Sequence, residues 1–134
     1  MNGAQLHLVL NHVPVILTAV SAVILLWGWY SRNADIKKVG LFLAIASAVF
    51  SVFAFLTGEP AEGVLEKLAG FSEDLVHAHE EAGEFALVAA IVAGVAASVA
   101  LYFLKAKTKI SSVMYIVTFV LVIFTSSVLL RTAH

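Results

Sequence analysis

Four long apolar runs dominate this sequence, at residues 6–30, 39–57, 85–104 and 113–130. Each run is about long enough to cross a hydrocarbon core of about 30 Å as a single helix. Hydrophobic residues make up 61% of the 134 positions and charged residues only 13%, against about 25% charged residues in a soluble domain. We therefore predict an all-α integral membrane protein, with residues 1–134 forming one four-span transmembrane domain. The first run lacks the flanks of a signal peptide, so we expect a retained span.

Basic residues mark the two short connections between the runs: Arg32, Lys37 and Lys38 in the first, and Lys105, Lys107 and Lys109 in the second. Cytoplasmic connections of membrane proteins carry an excess of Lys and Arg, so we expect both connections to face the cytoplasm. This orientation predicts an up-down four-helix bundle with the N and C termini outside. The third connection, residues 58–76, then becomes an outer loop.

The outer loop is predicted to contain a short amphipathic helix. Pro60 suits the first turn of a helix, and the residues that follow it offer an apolar face of Val64, Leu65 and Leu68. Ser72 precedes two acidic residues, as expected for the cap and first turn of the third long helix. That helix therefore begins well before its apolar run.

Histidines and acids are distributed unevenly between the two ends of this bundle. Of nine acidic residues, only Asp35 falls on the cytoplasmic side; the others are Glu59, Glu62, Glu66, Glu73, Asp74, Glu80, Glu81 and Glu84. All five histidines fall on the outer side, namely His7, His12, His77, His79 and His134. A functional site is therefore expected at the outer end.

Small and weakly polar residues mark the helix faces that should pack inside the bundle. In the second span they form one stripe, consisting of Gly40, Ala44, Ser47, Ser51, Ala54 and Gly58. The third span carries a stripe of His79, Gly83, Ala86, Ala90, Gly94 and Ala97. His79 is then the inward histidine. His77 lies about 160° around the helix, on the side of Glu81 and Glu84.

The first and fourth spans have similar inward faces. The first aligns His7, Asn11, Thr18 and Ser21, and the fourth aligns Ser111, Tyr115, Thr118, Val122, Thr125, Leu129 and Thr132. His12 lies about 140° from His7 in an ideal helix. Because Pro14 removes a backbone donor and bends or starts a helix, this angle does not exclude His12 from the interior.

These stripes converge on a candidate metal site at the outer end. Imidazoles and carboxylates from different helices are ligands that borderline divalent metals favour, so we predict a transition-metal ion such as Zn, Fe, Mn or Cu. The predicted ligands are His7, His12, Glu59, Glu62, His79 and Glu80, with Asn11 hydrogen-bonded within the site. The Glu-x-x-His spacing of soluble di-iron bundles is absent.

Haem b is the main alternative cofactor, held by His79 with either His7 or His12, and it would imply membrane electron transfer. The adjacent acids favour a bare ion over haem. A quinone site and a structural subunit of a larger membrane complex also fit. The absence of cysteine excludes disulfides, thiolate metal sites and iron–sulfur clusters.

The expected partners follow from the same reasoning. The lipid bilayer is one, and other membrane or periplasmic redox subunits are compatible with a redox site. A homo-oligomer stays open, because the helix faces can pack within one chain or between chains. No basic stripe supports nucleic-acid binding. Whether the metal is catalytic, redox-active, transported or structural is not encoded in these patterns.

Three short segments carry a resemblance: HLVLNHVP from His7, TGEPAEG from Thr57 and HAHEEAG from His77. With them, the sequence resembles small four-helix bacterial membrane proteins of unknown function. The resemblance implies a bacterial membrane protein but no activity. Together with the basic connections, it predicts a bacterial inner-membrane location with the site facing the periplasm. It implies the same site residues, namely His7, Asn11, His12, Glu59, Glu62, His79 and Glu80. It departs at Gly63, where a second acid is expected.

Overall fold

Almost the whole described chain is helical. A computed structural model describes residues 3–65, 72–106 and 110–132, and these contain no β-strand. The helices are α1 (Gly3–Tyr30), α2 (Ala34–Leu56), α3 (Gly58–Leu65), α4 (Glu73–Ala106) and α5 (Ile110–Thr132). The all-α prediction is confirmed. Residues 66–71, 107–109 and 133–134 lie outside the described residues, and with them the predicted Leu68, Lys107, Lys109 and His134.

Within the described part of the chain, four stretches are long and apolar enough to cross a membrane: Gln5–Tyr30, Ala34–Gly63, Glu73–Ala106 and Ser111–Thr132. In the bundle α1 packs on α2 and α5, while α4 packs on α2 and α5. The chain is therefore an integral membrane protein folded as an up-down four-helix bundle. The short α3 packs mainly on α1 and adds a fifth helix at one end of the bundle.

Local sequence sets the turn between α1 and α2. The Ser31 amide donates to the Trp27 carbonyl at 2.8 Å, and Arg32 then takes a left-handed conformation with φ 55°. Asn33 caps α2, because its side chain accepts hydrogen bonds from the amides of Asp35 and Ile36 at 2.9 and 3.1 Å. Asp35 places a negative charge in the first turn, where the helix dipole favours it.

The predicted small-residue stripes are buried over most of their length, but at one end of the bundle Gly58 and Gly83 are half-buried and His79 is exposed. In α2 the buried residues are Gly40, Leu41, Ala44, Ser47, Ser51 and Ala54. In α4 they are Ala86, Ala90, Ala93, Gly94, Ala97, Ala100 and Leu101. Since lipid tails are as apolar as the side chains, helices in a bilayer associate through close packing and polar contacts. The stripes provide that close packing.

Hydroxyl groups join the helices inside the bundle. Thr18 and Ser47 lie 2.6 Å apart and both reach the Pro14 carbonyl, so α1 and α2 share a small buried network. Ser21 donates to the Gly40 carbonyl at 2.8 Å, and Thr125 donates from α5 to the Ala89 carbonyl of α4 at 3.1 Å. These bonds satisfy hydroxyl groups that would be costly to bury in an apolar interior alone.

Gly94 marks a close approach of α4 to α2. A Cβ atom at Gly94 would lie only 2.5 Å from the Cβ of Ala48, whereas a Cβ at Gly83 would have no neighbour within 4 Å. We therefore expect Gly94→Ala to lower the free energy of unfolding by about 1–3 kcal/mol through overpacking. Gly83→Ala, the matched control on the same helix, should be neutral or stabilising, because alanine is the better helix former.

Thermal unfolding in detergent, followed by circular dichroism, measures both variants. Equal midpoints for Gly94→Ala and Gly83→Ala would contradict this packing.

Candidate functional site

A cavity of about 600 Å³ opens at the end of the bundle where the histidines lie, which we call the histidine end. All five helices line it, and most of the lining is apolar. Its ionisable and amide side chains are His7, Asn11, Glu62, His79, Glu80 and Glu84. A cavity of this size, apolar with a few converging polar groups, has the form of a ligand-binding site.

His7 is held in place by the C-terminal end of α2. Its Nδ1 lies 3.1 Å from the Ala54 carbonyl oxygen and 3.1 Å from Oγ1 of Thr57, and the Thr57 hydroxyl itself donates to Ala54 at 2.8 Å. A carbonyl oxygen can only accept, so Nδ1 of His7 carries a proton and donates it. In the neutral ring, Nε2 then keeps its lone pair, which is the form that binds a metal.

His79 reaches the same cavity from α4. The ring centroids of His7 and His79 lie 6.4 Å apart, with the ring planes at 83°. His79 is exposed and His7 is half-buried. Gly58 starts α3 beside them, and a Cβ atom there would lie 3.9 Å from Cε1 of His7. The structure thus brings together two of the three histidines predicted for the site.

His12 does not join them. Its side chain is exposed, and its Nδ1 donates to the Leu8 carbonyl of the preceding turn at 2.7 Å. The reason is that α1 continues without a break through Pro14, so the ideal helical angle between His7 and His12 is kept. The sequence allowed a bend at Pro14 to redirect His12, and the structure contains no such redirection.

The carboxylates line the cavity from two helices. Glu62 lies on α3 and is half-buried, while Glu80 lies on α4. An oxygen of Glu80 also lies 3.4 Å from Nδ1 of His77, whose side chain is 75% exposed and stands outside the cavity. Glu59 lies on α3, but its side chain is outside the described part of the structure.

The predicted six-ligand set is not assembled in the described residues. Within residues 3–65, 72–106 and 110–132, no three His, Cys, Asp or Glu side chains are grouped closely enough to hold a metal ion. The close pair is His7 with His79, and the carboxylates are spread around the rest of the cavity.

Sequence reasoning missed several cavity residues. The helical angle predicts Glu84 on the face of His77, but the Glu84 side chain lines the cavity. Its position four residues after Glu80 was the available signal, since residues four apart share a helix face. The contact of Thr57 and the Ala54 carbonyl with His7 has no sequence signal, because it depends on how far α1 and α2 are offset along their axes.

Comparisons with known protein families, curated proteins and solved structures return no match for this chain. The resemblance to four-helix bacterial membrane proteins therefore stays a prediction.

The contact with Ala54 predicts the tautomer of His7. Free imidazole side chains prefer the proton on Nε2, whereas His7 should carry it on Nδ1 when neutral. Nitrogen NMR of histidine-labelled protein in detergent reports the protonated nitrogen, with His7→Gln assigning the signal. Thr57→Val should leave the tautomer unchanged, because the Ala54 carbonyl remains. A neutral His7 protonated on Nε2 would show that the contact is absent in solution.

Proposed function

We propose that the protein binds a transition-metal centre at the histidine end, with His7 and His79 as its nitrogen ligands. The observation that carries the proposal is the hydrogen bond from Nδ1 of His7 to the Ala54 carbonyl, next to a second imidazole. Metal-binding histidines almost always donate their other ring N–H to a carbonyl, a carboxylate or water. Such a bond fixes the ring and leaves Nε2 for the metal.

The cavity carboxylates complete the ligand set in this proposal. Glu62 and Glu80 line the same cavity as the two imidazoles and would bind as oxygen ligands or orient the rings. Glu59 belongs to the proposed set through its position on α3 alone. Because exposed side chains change rotamer within nanoseconds, carboxylates around the cavity can close on an ion as it binds. Zn, Fe, Mn and Cu all accept nitrogen and oxygen donors.

Haem b is the second candidate, and the cavity itself favours it. The cavity has a volume of about 600 Å³ and a mostly apolar lining, which suits an organic cofactor better than a bare ion. Two imidazoles can hold a haem iron, so a haem here would require no third protein ligand. The pair would be His7 with His79. In this case the protein would carry electrons within the membrane.

The two candidates differ in what a purified protein contains. We expect metal analysis to find about one transition metal per chain; a Soret absorption band then identifies haem, and its absence identifies an ion. His7→Ala and His79→Ala should each lose the metal or the band, since each removes a nitrogen ligand. The matched controls are His12→Ala and His77→Ala, which change histidines outside the cavity on the same two helices.

Carboxylate variants also distinguish a bare metal ion from haem. Glu62→Gln and Glu80→Gln should weaken binding of a bare ion by about 10–100-fold but leave axial haem ligation intact. Glu81→Gln is the control, because Glu81 is exposed and does not line the cavity. If the wild-type protein contained neither metal nor haem and bound neither after addition, the proposed function would be refuted.

The proposed location is the bacterial inner membrane with the histidine end toward the periplasm. Its support is the basic residues at the other end, among them Arg32, Lys37, Lys38 and Lys105. Both chain termini would then be outside. Periplasmic or membrane redox subunits are the partners that such a location would offer.

Cysteine labelling tests this orientation, because the chain has no native cysteine. Glu73→Cys at the start of α4 should react with a membrane-impermeant maleimide in spheroplasts, whereas Ser31→Cys after α1 should react only after lysis. Both positions are exposed. The reverse pattern would place the cavity on the cytoplasmic side.

A further inference from the structure

A second, smaller cavity of about 300 Å³ lies at the opposite end of the bundle, which we call the basic end. Its polar lining consists of Arg32, Lys37, Ser111, Ser112 and Tyr115. His7 and Trp29, which line the two cavities, are twenty-two residues apart on α1, so the cavities are separated by more than about 30 Å at about 1.5 Å per residue. The function proposed for the histidine end makes no use of this cavity.

The two cations of this cavity lack a carboxylate partner among the described residues. The nearby acid, Asp35, is paired with Lys38, whose Nζ lies 2.8 Å from its Oδ1. Among residues 3–65, 72–106 and 110–132, this is the only ion pair at the basic end. Arg32 and Lys37 therefore present two positive charges to one concave space, and Lys38 does not line it.

Packing fixes the position of Lys37. A Cβ atom at Gly28 would lie 3.0 Å from both Cγ and the backbone nitrogen of Lys37, so the stem of the lysine runs tightly against α1. Its Nζ lies 5.0 Å from the ring centroid of Tyr115, a cation–π distance. Tyr115 is itself anchored, because its hydroxyl donates to the Leu25 carbonyl. The ammonium group is thus held at the cavity without an acid.

Hydroxyl groups and an apolar edge complete the cavity. Ser111 and Ser112 lie in the first turn of α5, where amide groups point outward and the helix dipole is positive. The cavity is also lined by Trp29 and Ile116, which are 57% and 51% exposed. Exposed apolar surfaces of a membrane bundle are expected to contact lipid, so the cavity would adjoin the acyl chains of the bilayer.

From this combination we infer that the basic-end cavity binds the phosphate of an anionic phospholipid. Two uncompensated cations and two hydroxyl groups match a phosphodiester, and the exposed apolar edge accommodates the acyl chains. Basic cavities between transmembrane helices at the headgroup level are the usual form of such sites. A soluble phosphate shares the charged chemistry but would gain nothing from the contact of Trp29 and Ile116 with lipid.

Lipid binding to the purified full-length chain tests this inference. In nanodiscs of phosphatidylcholine containing one-tenth phosphatidylglycerol, native mass spectrometry should show phosphatidylglycerol retained. Lys37→Gln should reduce that retention by about fivefold, as expected for the loss of one cation near a membrane surface. Lys38→Gln, the matched control, removes a neighbouring cation that is already paired and should retain the lipid.

Arg32→Gly removes the second cation with little risk to the fold, because glycine adopts the left-handed conformation of this position readily. It should keep the melting temperature and lose phosphatidylglycerol. Equal retention of phosphatidylcholine and phosphatidylglycerol would overturn the inference, as would equal losses in Lys37→Gln and Lys38→Gln. Displacement of the lipid by millimolar inorganic phosphate would show a soluble anion to be the ligand and would also overturn it.

Discussion

Close packing of small residues between α2 and α4, reinforced by hydroxyl groups, is the interaction on which the rest of the structure depends. Lipid offers the helices no hydrophobic reason to associate, so contact has to come from backbones that approach closely. Gly94 against Ala48 provides this contact in the middle of the bundle, and Ser47 with Thr18 binds α1 to the same core. Both cavities lie beyond these central contacts, toward the ends.

The stripe that packs the core also creates the histidine cavity. Ala54 and Ala86 belong to the buried stripes of α2 and α4, yet both line the cavity. In the middle of the bundle, small residues meet each other, and the space between helices is filled. At the histidine end they face the cavity instead, and α3 closes the side. The carbonyl of Ala54 also accepts a hydrogen bond from His7, so this one residue both packs the core and positions a cavity histidine.

The sequence predicted the fold and part of the lining of the histidine cavity, for physical reasons. Helical spacing alone places His79 on the inner face of α4, and the structure puts it at the cavity. For His12 the spacing left both an inward and an outward orientation open, because the effect of Pro14 on α1 depends on neighbouring helices. The contact between His7 and Ala54 could not be predicted, since it depends on the relative offset of α1 and α2.

The contact at Gly94 is also the point about which α4 would pivot if it tilted against α2. About twenty residues of α4 extend from it toward the histidine end and about twelve toward the basic end, or roughly 30 Å and 18 Å at about 1.5 Å per residue. With no room for even a methyl group at that point, α4 cannot shift bodily toward α2. If α4 tilted about this point, its two ends would move in opposite directions. A tilt that widened one cavity would therefore bring α4 closer to its neighbours at the other, and the longer arm would make the larger movement.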